Sequence, residues 1–194
     1  MSQIVNDMML RLLDAMNADD PGFAAAEDVL AADEQRIDMM QADLSEYLAE
    51  CSTEMLTEHQ AQEIRRLLRI VNELERISDA CYSIISHYRR KRKKRRAFHE
   101  NATDELTTYA MNVMDFLKLN SDYLADRLPT QDFDFAAEME AAIKKKRKTL
   151  TKASRKTIQH GGDVRGELLY MEIIREMEHI GDYCLNISEA IREE

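Results

Sequence analysis

The sequence predicts an all-α protein: six helices arranged as two tandem three-helix bundles. Ala, Leu, Met, Glu, Arg and Lys are abundant, and the 194 residues include only two prolines and five glycines, so strong helix formers meet few breakers. No segment carries the alternating apolar–polar pattern of a strand. The phrase ELERISDACYS at 73–83 returns 103 positions later as EMEHIGDYCLN at 176–186, so one helical plan is written twice. Residues 1–96 form the first unit with a basic tail, and 97–194 form the second.

The first helix is expected from Ser2 to about Ala18, stopped by Asp19-Asp20-Pro21-Gly22. A second begins near Phe23 and reaches about Cys51, with apolar positions Ala26, Leu30, Ile37, Met40, Leu44, Tyr47 and Cys51 at spacings of three, four or seven. Thr57 and Gln60 have the spacing of a capping box. They open a third helix of about 30 residues, ~45 Å long, whose seam is Ile64, Leu67, Val71, Leu74, Ser78, Cys81, Ile85 and Tyr88. Thr103 is expected to cap a fourth helix ending near Leu128-Pro129, and Asp134 to open a fifth reaching about Gln159. Gly161-Gly162 break the chain, and Asp163 caps a sixth helix running to the C-terminus. Moving the third seam by 103 gives Glu167, Tyr170, Ile174, Met177, Gly181, Cys184, Ser188 and Ile191, mostly apolar or small.

The net charge of −10 conceals strong segregation. Residues 1–60 carry 14 acids against Arg11 and Arg36, whereas 89–96 read RRKRKKRR and 144–156 hold eight cations without one carboxylate. Such segregation shapes partners more than fold. Three cysteines with no CxxC pair argue against a disulfide framework or a zinc ribbon and suit a reducing cytoplasm. The N-terminus has no basic-then-apolar leader, and no apolar run approaches the ~20 residues that span a bilayer. A nucleophile–base pair, a P-loop and a glycine-rich cofactor turn are all absent from the pattern, which argues against an enzyme and against an organic cofactor.

Within the repeated phrase, Glu75 and Asp79 stand four apart, as do Glu178 and Asp182, so each pair occupies one helix face. Like charges at that spacing destabilise a bare helix. Arg76 can partly offset Asp79 and Arg175 can partly offset Glu178, while small Ser78 and Gly181 on the seam leave room between helices. Solvated acids beside a core are one reading. The sharper one is a carboxylate-lined site that takes a hard cation. The second helix offers Asp33, Glu34 and Asp38 as further ligands; at an offset of 106 the fifth offers Glu140, but Lys144 stands at the place of Asp38 and Met139 at that of Asp33. The metal is therefore expected first at Glu75 and Asp79. Di-iron oxygen chemistry needs paired Glu-x-x-His motifs, and only Glu176 with His179 has that spacing.

Glu75 to Asp79 and Glu178 to Asp182, with Asn186 trailing the second pair and Ser83 in its place in the first, resemble the paired ExxxD signatures of PhoU-like domains. ERISDACYSI before a basic run, and YMEIIREMEHIGDYCLNISEAI near the end, look most similar to the cytoplasmic C-terminal domain of bacterial sodium/phosphate cotransporters. The resemblance implies two three-helix bundles and a non-catalytic regulatory or scaffolding role in phosphate uptake. It also implies a transporter membrane domain or the transport machinery as partner, and iron or zinc at the acids, with other divalent metals left open. Ser78 replaces the usual Gly of the first motif, and Lys144 stands where Asn or Asp is common.

The run Arg89, Arg90, Lys91, Arg92, Lys93, Lys94, Arg95 and Arg96 reads as a solvated loop or as a docking surface for a partner or an anionic membrane at its inner face. Nucleic-acid binding through this run is an alternative, disfavoured by the negative net charge and by the lack of a recognition helix or aromatic platform. A metal-dependent phosphoesterase built on the acids is the other alternative. The cations of 144–156 are expected to face the acidic first half, within the chain or across a homodimer.

Overall fold

The computed structural model describes residues 1–53, 55–125 and 133–192, and these form six helices with no strand among them. Helix α1 (Ser2–Asn17) buries Val5, Met8, Met9, Leu12, Ala15 and Met16 along one face. Helix α2 (Asp20–Cys51) starts earlier than expected. The Asp19 carboxylate accepts from the Gly22 amide at 2.9 Å, and Pro21 sits in the first turn, where its missing N–H costs nothing. The expected stop is thus mostly a start. Helix α3 (Glu58–Lys93) opens with both bonds of the Thr57–Gln60 capping box.

Helix α4 (Ala102–Leu124) has no side-chain cap, and Thr103 lies inside its first turn instead of capping it. Entry is set by the preceding connector, where the Ala102 amide donates to the His99 carbonyl at 3.1 Å. The expected end near Leu128-Pro129 falls outside the described residues. Helix α5 (Phe133–Gln159) is followed by Gly161 at φ +88°, a left-handed turn that favours glycine. Helix α6 (Val164–Arg192) is capped as expected, with Asp163 accepting from the amides of Arg165 at 3.1 Å and Gly166 at 3.2 Å.

Helices α3 and α6 pack on each other more extensively than any other pair. Helix α1 packs against α2, α3 and α4, and α4 packs also against α5 and α6. Helices α1, α3, α4 and α6 thus form the centre, α2 covers α1 and α3, and α5 covers α4 and α6. The burial pattern explains these roles: α2 buries only Phe23, Leu30, Ile37 and Leu48 over its whole length, whereas α6 buries thirteen residues. A narrow apolar stripe makes an outer helix and a broad one makes a central helix. The expected seam holds from Val71 to Tyr88, but Leu67 is exposed.

Small residues let the helices come close. A Cβ on Gly181 would stand 3.1 Å from two methyl groups of Ile143, so this glycine admits helix α5 and leaves no room for a ligand. Ser78 is likewise filled, its hydroxyl lying 3.5 Å from the Met8 sulfur. Asn120 joins α4 to α6 by donating to the Cys184 carbonyl and accepting from Ser188, each at 2.7 Å. Cys81 and Cys184 are buried free thiols, with burial pushing Cys81 up to about 12 and Cys184 upward as well; Cys51 is half-buried. No helix among the described residues is long and apolar enough to cross a membrane.

The connector between the two units is clamped to the start of α6. The Ala97 amide donates to Asp163 at 3.1 Å, and the His99 amide donates to Glu167 at 2.9 Å. The His99 ring bridges Glu167 at 3.2 Å and Glu105 at 3.0 Å, and the Tyr170 hydroxyl donates to Glu105 at 2.8 Å. Phe98 stacks edge-on between Tyr88 and Tyr170. Backbone meets backbone at Gly166, where a Cβ would fall 2.0 Å from the Ala97 carbonyl oxygen.

Gly166→Ala should therefore lower stability by roughly 1–3 kcal/mol, read by denaturant unfolding; an unchanged midpoint would show that the connector is not tightly docked. Burial opposes protonation of His99, but the hydrogen bonds to Glu105 and Glu167 outweigh it and raise its pKa. A raised histidine contributes stability fully below its ordinary pKa of about 6.5 and loses it as pH climbs through the raised value. The difference in melting temperature between wild type and His99→Gln should shrink over that window. A constant difference would remove the charged bridge from the account.

Candidate functional site

The repeated acids lie on the flanks of α3 and α6, each facing its cover helix. In the first half, carboxylate oxygens of Glu34 and Asp38 on α2 and of Asp79 on α3 all lie within 4.8 Å of one another. Glu75, one turn before Asp79, is close enough to feel Asp79, Asp38 and Glu34. Desolvation, followed by mutual repulsion, raises the pKa of Glu34, Glu75 and Asp79, with Asp38 among the causes in all three. Among the described residues no salt bridge joins any of the four to a cation. Asp33 is directed elsewhere, toward Arg11 on α1 at 3.8 Å.

The second half has the same frame and the opposite electrostatics. Lys144 on α5 bonds Glu140 and also Asp182 at 3.1 Å, and Arg147 reaches Glu178 at 2.6 Å. Two cations thus occupy the space among three acids, of which Glu140 and Glu178 are 8 % exposed. The three grouped carboxylates, Glu34, Asp38 and Asp79, fit a hard cation, with Glu75 one turn away. The second cluster does not fit one, because ammonium and guanidinium groups already fill it.

Several pairings differ from those the spacing suggests. Arg76 bonds Glu73 at 3.2 Å instead of offsetting Asp79, and Arg175 bonds Glu172 and Glu176 instead of Glu178. Expected and observed partners both lie three residues away, and each arginine takes the acid on its N-terminal side, the favoured order of acid before base along a helix. Of the α5 cations, Lys144 and Arg147 turn to the acids of their own half and not to the acidic first half. The signals were Glu140–Lys144 at i,i+4 and the offset of 106, which sets Arg147 where the first half has Gln41. His87 lies within 4.8 Å of Glu172 and Glu176, a grouping across α3 and α6 that spacing along one helix cannot reveal. His179 stays at the surface, 3.5 Å from Glu176.

The basic run is not one uniform surface. Arg89 bonds Glu27 at 2.7 Å; Arg92 bonds Asp20 at 2.8 Å, reaches the Ala18 carbonyl and lies over the Phe23 ring. Both staple the end of α3 to the start of α2. Lys91 covers Phe98 at 4.6 Å, and Arg96 lies 3.8 Å from Asp163. Arg90, Lys93, Lys94 and Arg95 are exposed.

A family model, that of the PhoU domain, matches residues 1–87 and 131–191. No curated protein matches the chain. Among solved structures the chain is similar to PhoU from Pseudomonas aeruginosa, with a TM-score of 0.84 and 17% identity over 98% of this chain and 89% of that one. It is also similar to the phosphate transport system regulatory protein PhoU from Streptococcus pneumoniae, with a TM-score of 0.72 and 15% identity over 97% of this chain and 90% of that one. At these identities the likeness is one of fold.

Equivalent positions on α2 and α5 should respond with opposite signs. Asp38→Asn removes a repelling charge and should raise metal-free stability by about 0.2–0.5 kcal/mol. Lys144→Gln strands the buried Glu140 and should cost roughly 1–3 kcal/mol. Urea unfolding in the presence of chelator reads both, and a shift of the same sign in the two variants would contradict the electrostatic contrast.

Proposed function

The chain belongs to the PhoU domain family, and from that premise we propose that it is a non-catalytic regulatory and scaffolding domain acting on phosphate transport machinery. The observation that carries this reading is the family match across both halves of one six-helix body. One solved relative of the same fold is described as a phosphate transport system regulatory protein. The partner assigned is a transporter membrane domain, that of a sodium/phosphate cotransporter in the finer reading, with the chain on its cytoplasmic side. Exposed Arg90, Lys93, Lys94 and Arg95 suit an anionic surface there.

In the first half, Glu34, Asp38, Glu75 and Asp79 would hold one cation. All four donors are carboxylates, which favours a hard ion, iron before zinc. The ion would neutralise acids that otherwise raise one another's pKa, and so tie α2 to α3. The second half would hold none.

The test uses native cells lacking the chain. Phosphate uptake should lose its restraint at high external phosphate, and wild type should restore it. Uptake identical with and without the chain would overturn the regulatory reading. Elemental analysis should find metal in wild type and none above background in an Asp38→Asn, Asp79→Asn variant; equal content in the two would overturn the site. Purified chain given magnesium, manganese, iron or zinc should not hydrolyse p-nitrophenyl phosphate. Turnover abolished by Asp79→Asn would instead establish a metal-dependent phosphoesterase.

A further inference from the structure

A cleft of about 670 Å³ opens between the C-terminal end of α3 and the N-terminal end of α6. Four cations from three places converge on it: Arg90 near the end of α3, Lys94 and Arg96 in the connector, and Arg165 in the first turn of α6. Other cations of the basic run are committed, Arg89 to Glu27 and Arg92 to Asp20. Among the described residues, the side chains of Arg90, Lys94 and Arg165 make no salt bridge or hydrogen bond, and Arg96 has only its long contact to Asp163. The acid lining the cleft, Glu172, is itself bonded by Arg175. A chain of net charge −10 has acids to spare, yet this concave surface is left unneutralised.

The lining has two further features. Nδ1 of His87 is buried and has no hydrogen-bond partner. Leu168, about half exposed, and Leu169 form an apolar patch beside the cations.

We propose that this cleft binds a small ligand bearing two or more phosphates, its non-phosphate part resting on Leu168 and Leu169. Three guanidinium groups match phosphoryl oxygens in bidentate geometry. Charge and size decide against a single orthophosphate, which brings at most two negative charges to four cations. The volume is that of a site for a nucleotide-sized molecule, which falls in the range of about 300–1,000 Å³. None of the residues of the carboxylate cluster lines the cleft, so this inference is independent of the metal.

The experiment is calorimetric titration of the full chain, free of divalent metal, with tripolyphosphate, ATP and orthophosphate, alongside sedimentation with vesicles containing a bisphosphorylated inositol lipid. Saturable 1:1 binding of tripolyphosphate or ATP, at least about tenfold tighter than orthophosphate, is expected. Arg90→Gln with Arg165→Gln should weaken it at least about tenfold. Lys145→Gln with Lys148→Gln removes the same charge from the exposed face of α5 and should change it less than about twofold. If the first pair lowers the melting temperature, the exposed Lys94→Gln carries the same comparison. Vesicle binding that depends on Arg90 and Arg165, without a response to the soluble ligands, would identify the phosphates as those of a lipid headgroup. Equal weakening by both double variants, equal affinity for hexaglutamate, or no binding to either soluble ligand or vesicle would overturn the proposal.

Discussion

The packing of α3 on α6 is the constraint from which the remaining geometry follows. Each helix gives its broadest buried face to the other and to the α1–α4 pair, so the flank bearing the acids faces outward toward an outer helix. Glycine, serine and cysteine on the seam keep the helices close. Close packing in turn fixes which residues of α2 and α5 stand opposite the acids. A small change in the approach of α5, for instance at the Gly181–Ile143 contact, would move Lys144 and Arg147 relative to Glu178 and Asp182.

Within that common frame the halves have diverged by changing the cover helix, not the motif. Glu75 and Asp79 repeat as Glu178 and Asp182, and Glu34 repeats as Glu140, but Asp38 becomes Lys144 and Gln41 becomes Arg147. Two substitutions on one helix convert an assembly of four mutually repelling acids into three acids paired with two cations. In the second half the compensating cations are built into α5, whereas among the described residues no cationic side chain bridges the acids of the first half. The same backbone thus supports two opposite electrostatic arrangements.

Much of the fold was legible because its determinants are local. The Thr57–Gln60 capping box, the Asp163 cap and the glycine break are all short-range, and the repeated phrase announced the tandem architecture. Legibility failed where two local signals competed, as at Asp19 to Gly22, where the breakers also make a helix start. It failed again at Thr103, since the connector and not a side chain sets the entry of α4. The acids that gather at Asp79 could be read from register, because α2 repeats the spacing of α3. Asp33 could not be separated from Glu34 without knowing that α1 presents Arg11 beside it. The partners of His87, and the convergence of Arg90, Lys94 and Arg96 with Arg165, arise from tertiary proximity between segments more than 60 residues apart, which no periodicity encodes.

The burial of two of the three thiols has a practical consequence. Cys81 and Cys184 are sealed in the central seam, with burial holding both in the protonated form, whereas Cys51 is half-buried at the end of α2. Under native conditions maleimides should therefore label the chain at Cys51 alone, without engineering. A fluorophore or nitroxide attached there rides on the helix that carries Glu34 and Asp38, about 20 Å from Asp38 along its axis at 1.5 Å per residue. That separation is within range of paramagnetic relaxation, so motion of the outer helix can be followed in an otherwise unmodified molecule.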